Sequence, residues 1–140
     1  MESRLLMAQI SNVGERRENT ITQKWLQTKR SSVLTLSKQT YPWTGIRVSY
    51  PWGADMASYN GLKFKLKSES VPLKIDVKIS DNNNYKIKTK EITSTHWTEV
   101  LVEFDSSAPS LDWSNIDHFA VYYASENGPE FIEIDNLKFY

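Results

Sequence analysis

The stretch LKFKLKSESVPLKIDVKIS, Leu62 to Ser80, alternates apolar and polar side chains in two runs. Leu62, Phe64 and Leu66 share one parity, and Lys63, Lys65 and Lys67 the other. After the break at Ser68 to Pro72, the runs Leu73, Ile75, Val77, Ile79 and Lys74, Asp76, Lys78 repeat the pattern. A period of two gives a half-buried strand one apolar and one polar face, where a helix would scatter both sets around its axis. Outward from this pair the pattern recurs in YKIKTK (Tyr85 to Lys90) and WTEVLVEF (Trp97 to Phe104). Further strand candidates are ITQKWLQT, SVLTLS, GIRVSY, HFAVYY and FIEIDNLKFY. Breakers separate them at Pro51 to Gly53, Asn60-Gly61, Pro72, Asp81 to Asn84, Ser106 to Ser110 and Asn127 to Pro129. The expectation is an all-β chain, a two-sheet antiparallel sandwich of about eight to nine strands. RLLMAQI is read as a first strand and VGERRENT as an exposed loop, within a single domain over residues 1–140.

Basic and acidic residues balance at 17 each, so nothing in the net charge favours nucleic acid. With no cysteine, disulfides, thiolate zinc and cysteine nucleophiles are excluded. No apolar run is long enough to span a membrane as a helix. MESRLLMAQIS lacks the apolar core of a signal peptide. The chain is therefore read as cytosolic or as a module of a longer secreted protein, and the second is preferred. Patterns of the HExxH, GxSxG and phosphate-loop kinds do not occur. The two histidines, His96 and His118, do not make a three-ligand zinc site by themselves.

Several phrases fall in a telling order: TGIRVSY, ADMASYNGLKFKLKSES, THWTEVLVEF, LDWSNIDHFAVYY and FIEIDNLKFY. Together they resemble the β-jelly-roll carbohydrate-binding modules appended to glycoside hydrolases, with a galactose-binding-like architecture. The resemblance covers about Val33 to Tyr140. It implies two sheets of four, ordered second-ninth-fourth-seventh and third-eighth-fifth-sixth, the latter with a concave ligand face on its outer side. It also implies a structural calcium, for which Asp135 matches the final-strand ligand; Glu15 and Glu18 are candidate partners.

On that frame, parity assigns faces. Ile46, Val48, Leu62, Phe64, Leu66, Ile75, Val77, Tyr85, Ile87, Val100, Val102, Phe104, Phe119, Val121, Tyr123, Ile132 and Ile134 point inward. Lys63, Lys65 and Lys67 face Glu99, Glu103 and Glu133 on the convex side. The concave side carries Arg47 and Ser49, Lys74, Asp76 and Lys78, Lys86, Lys88 and Lys90, and His118, Ala120 and Tyr122. That is six permanent cations against one carboxylate. Edge protection of the sixth strand is the competing account of its lysines.

Tyr-Pro-Trp occurs twice, at Tyr41 to Trp43 and at Tyr50 to Trp52. Trp43 shares the parity of Arg47 and is expected toward the ligand face, and Trp52 in the loop beyond the strand. Indole planes suit the flat C–H patches of sugars. The two tryptophans either line a groove or plug the sandwich ends. Trp25, Trp97 and Trp113 are assigned to packing. The ligand contacts expected are Trp43, Arg47, Trp52, Asp76, Lys78, Lys88, His118 and Tyr122. The function expected is non-catalytic polysaccharide binding, extracellular, within a larger enzyme. By resemblance the partner is a β-glucan, and by the basic face a uronate polymer. Two other readings remain: a small polysaccharide lyase using Tyr122, His118 and Arg47, and a protein-interaction domain centred on Trp43 and Trp52.

Overall fold

The computed structural model describes residues 9–12, 33–40, 42–107 and 110–140. These form nine strands: β1 (Gln9–Asn12), β2 (Leu34–Ser37), β3 (Trp43–Ala54), β4 (Gly61–Ser68), β5 (Leu73–Ser80), β6 (Tyr85–Ile92), β7 (Thr98–Glu103), β8 (Ile116–Ala124) and β9 (Phe131–Phe139). Every pairing is antiparallel. One sheet orders as β2-β9-β4-β7 and the other as β1-β3-β8-β5-β6. The all-β sandwich is as the alternation implied. The second sheet has five strands rather than four, because β1 pairs with β3 and takes the outer place expected for β3. ITQKWLQT, VGERRENT and Trp25 lie outside the described residues. Among the described residues, no helix is long and apolar enough to cross a membrane.

The inner faces meet in one core. Ile46, Val48, Leu62, Leu66, Ile75, Val77, Val121, Ile132 and Ile134 are fully shielded, as their parity required. Each is worth roughly 1.5–3 kcal/mol of transfer free energy. Aromatic rings close one end: Phe104 stacks on Trp113 at 4.3 Å, and Phe139 meets Phe119, Phe104 and Tyr59. Trp113 is thus a packing residue, whereas Trp97 stays 40% exposed beside β7. On the outer face of the four-stranded sheet, Lys65 lies between Glu99 and Asp135, and Lys67 opposite Glu133. Opposite charges across a ladder contribute about 0.2–1 kcal/mol a pair, so this face is self-neutralised.

β6 departs from the expected faces. Tyr85 and Ile87 are 54% and 46% exposed, not core. The cause is the turn. Asp81 donates its backbone N–H to no distant strand; it accepts instead as a carboxylate from the N–H groups of Asn83, Asn84 and Asp112, while its own N–H bonds the Asn84 carbonyl. This four-residue connection sets Ser80 opposite Tyr85, Lys78 opposite Ile87 and Asp76 opposite Thr89. Directly opposed residues share a face, and a one-residue slip would reverse it. Lys86, Lys88 and Lys90 therefore share the inner side with Ile79, Val77 and Ile75. At this sheet edge their stems cover apolar surface. Asp105, just past β7, receives the Lys86 ammonium at 2.6 Å and also binds Lys88.

Candidate functional site

The outer face of the five-stranded sheet is laid out in rows by the register of β3, β8, β5 and β6. Gly45, Tyr122, Asp76 and Thr89 form one row, and Arg47, Ala120, Lys78 and Ile87 the next. Ser49, His118, Ser80 and Tyr85 form a third. Trp43 enters beside the first row, opposite Ala124.

Two aromatic platforms result. The Trp43 ring meets Tyr122 edge-on, with centroids 5.3 Å apart and planes at 80°. Such a pair contributes about 0.5–1.5 kcal/mol beyond area and fixes the rings. Trp43 nevertheless remains 43% exposed. Gly45 makes the arrangement feasible: a Cβ there would lie 2.0 Å from the Val121 carbonyl oxygen and 2.5 Å from Tyr122 Cα. The second platform is Tyr85, with the Lys78 ammonium 4.7 Å from its ring centroid and Ile87 beside it. Burial, then Asp76 and Tyr85, push the Tyr122 phenol above its ordinary value, so it is a neutral donor and acceptor at neutral pH.

The polar groups between the platforms are partnered. Thr89 donates its hydroxyl to Asp76 at 2.6 Å. His118 is only 7% exposed, and its Nδ1 lies 2.7 Å from Asp117 Oδ2 and 3.4 Å from Arg47 Nη2. Nδ1 cannot donate to the carboxylate and accept from the guanidinium at once. The shorter contact decides, so Nδ1–H donates to Asp117. Burial first, and then the charges of Arg47 and Lys78, lower the His118 pKa against the opposing pull of Asp117. The ring is neutral at pH 7.

Of the expected contacts, Trp43, Arg47, Asp76, Lys78, His118 and Tyr122 share this face. Lys88 does not: it lies on the inner side of β6 against Asp105, for the reason given by the turn. Trp52 lies inside β3 rather than beyond it, 77% exposed. It lies within a register shift in which the six residues of β3 from Ser49 to Ala54 span three of β8, His118 to Ile116, with Gly53 at φ 78°. This bulge separates Trp52 from the rows. Tyr85, Ile87, Thr89 and Glu91 join the face unforeseen. The length of the Asp81 to Asn84 turn was the signal that could have found them.

The charge balance changes with β6. The face now holds Arg47, Lys74 and Lys78 against Asp76 and Glu91, with Lys74 directly opposite Glu91 and Asp117 at the margin. Asp135 belongs to the other sheet, opposite Lys65, and its Oδ1 accepts the Asn136 N–H. Among the described residues no group of three or more acidic or histidine side chains is gathered to hold a metal, and Glu15 and Glu18 lie outside them. One carboxylate facing a lysine does not fit a hard oxygen cage.

No family model matches the chain, and no curated protein sequence matches it. Solved structures do. An exo-β-agarase superposes with a TM-score of 0.63 at 13% identity, over 79% of this chain and 22% of that one. A family 29 carbohydrate-binding module gives 0.53 at 15%, over 75% and 65%. The family 11 carbohydrate-binding module from Clostridium thermocellum, in complex with a β-1,3-1,4-mixed-linked tetrasaccharide, gives 0.51 at 18%, over 96% and 88%. The chain has the β-sandwich fold of carbohydrate-binding modules. It spans about a fifth of the length of the first two chains it matches.

Proposed function

We propose that the chain is a non-catalytic carbohydrate-binding module that holds a neutral polysaccharide across the outer face of its five-stranded sheet. The observation that carries this is the pair of aromatic platforms, Trp43 with Tyr122 and Tyr85 with Ile87, flanking a row of hydroxyl, carboxylate and guanidinium groups. Rings offer apolar planes to sugar C–H groups, and the row between offers donors and acceptors to hydroxyls. The near balance of charge favours a neutral chain such as a β-glucan over a uronate polymer, which needs uncompensated cations. The lyase reading is disfavoured by the same geometry. His118 is buried with Nδ1 committed to Asp117, and Tyr122 is held protonated rather than poised as a base.

By extension, the module is an accessory unit of a longer, secreted carbohydrate-active enzyme. Its span of about a fifth of the exo-β-agarase chain supports this placement. The test is affinity electrophoresis in gels containing mixed-linkage β-1,3-1,4-glucan, polygalacturonate or alginate, at low and moderate salt. Retardation by the neutral glucan, unchanged by salt, is expected. Retardation by the uronate gels alone, relieved by salt, would overturn the neutral assignment.

A further inference from the structure

We propose that Asp76 and Thr89 are the specificity element of the outer face: Thr89 positions the Asp76 carboxylate, which takes the hydroxyls of a neutral glycan and turns uronates away. The inference rests on the reading of that face as the ligand face and deepens it. Asp76 and Thr89 stand directly opposite each other on β5 and β6, and the Thr89 hydroxyl donates to Asp76 Oδ1 at 2.6 Å. Across β8 the register neighbour of Asp76 is Tyr122, whose ring meets Trp43 edge-on. The pair therefore lies in the row that runs from the first aromatic platform to the sheet edge.

The carboxylate is left without a cation of its own. Lys78, two positions along β5, has its ammonium 4.7 Å from the Tyr85 ring centroid, and Lys74, two positions back, stands opposite Glu91. Among the described residues no ion pair includes Asp76, and its Oδ2 accepts no hydrogen bond. An ionised carboxylate only accepts, and it offers about four lone-pair positions, of which Thr89 fills one. The others suit O–H donors, and a sugar hydroxyl bound there gains from the charge. The carboxylate of a uronate has no hydrogen to give and is repelled. Thr89 does the holding. Its branched Cβ makes its own χ1 stiff, so the hydroxyl is a firm anchor for the Asp76 side chain. An acceptor already fixed loses less rotamer freedom when the ligand arrives.

The experiment has two arms. In the first, three-bond NMR couplings across the Asp76 Cα–Cβ bond are measured in ligand-free protein. A single rotamer is expected in the wild type and in Thr89→Ser, and averaged couplings in Thr89→Val. Averaged couplings in the wild type overturn the proposal. In the second, affinity electrophoresis compares wild type and variants in gels of mixed-linkage β-1,3-1,4-glucan and of polygalacturonate, at low and moderate salt. Thr89→Val is expected to weaken glucan affinity about threefold or more, and Thr89→Ser to restore it. Asp76→Asn is expected to weaken glucan affinity about tenfold and to be retarded by polygalacturonate at low salt only, where the wild type is not. Wild-type glucan affinity in Thr89→Val, or a polygalacturonate gel that fails to retard Asp76→Asn, overturns the proposal. A fixed Asp76 rotamer lost in Thr89→Val, with no retardation of the wild type by the glucan, supports the positioning by Thr89 and counts against the ligand-face reading.

Discussion

At the scale of the residue, exposure and identity pull in opposite directions on the two kinds of lysine in this chain. Lys78 sits over the Tyr85 ring on the outer face, while Lys88, ten positions on, is turned to the inner side and bound to Asp105. The expected outcome of Lys88→Gln is unchanged glycan affinity with a lower unfolding midpoint. Trp43→Ala is expected to do the reverse, weakening glycan affinity by tenfold or more, the usual mark of an aromatic anchor, with the fold intact by circular dichroism. Isothermal titration with the mixed-linkage glucan and denaturant unfolding of both variants check the pair. Equal loss of affinity in the two would mean that the β6 register is misassigned.

At the scale of the element, β6 shows what the sequence could and could not convey. β4 and β5 were legible because each has one buried and one wetter face, so hydrophobicity and parity agree; β8, buried on both faces at His118 and Ala120, was legible through its parity and its apolar residues on the inner side. Parity along β3, β5 and β8 is enough to put Trp43, Arg47, Asp76, Lys78, His118 and Tyr122 on one face. In an edge strand the two cues separate. Tyr85 and Ile87 are apolar because of what the outer face presents, and Lys86 and Lys88 are inward because a neighbouring carboxylate receives them. Hydrophobic pattern alone assigns all four wrongly; counting the turn residues assigns them correctly. Inward charges also discourage edge-to-edge pairing. Asp105 is held far below the ordinary carboxylate range, first by Lys86, then by Lys88 and Ser107. Asp105→Asn removes the charge that pairs both cations. The expected result is a lower denaturation midpoint together with concentration-dependent light scattering, as β6 detaches and its edge is uncovered. A variant that stays monomeric and equally stable would show that the lysines need no partner.

At the scale of the whole molecule, stability follows the protons. The His118 pKa is depressed in the fold, mainly by burial, so below its ordinary value of 6.5 the unfolded chain binds more protons than the folded one. Stability is complete above that pH and declines as pH falls from there toward the folded value. Asp105 and Asp81, both depressed by hydrogen bonds, give a second decline that begins below their ordinary value of 3.8. Thermal unfolding across pH 8 to 3 is therefore expected to fall in two stages, and His118→Gln is expected to erase the first only. A single acid transition below pH 4 in the wild type would remove His118 from the account.

The close approach of β3 and β8 at Gly45 has a bearing on ancestry. A backbone carbonyl and a Cα occupy the volume that any other side chain would need, so no compensating change of side chain can open position 45. The solved structures compared above that share this fold match the chain at only 13–18% identity. A glycine imposed by main-chain crowding is expected to tolerate less change than the exposed rings beside it. The spacing Trp43, Gly45, Arg47 is therefore the signature by which distant cousins of this face can be sought, with Gly45 the letter expected to persist after both neighbours have changed.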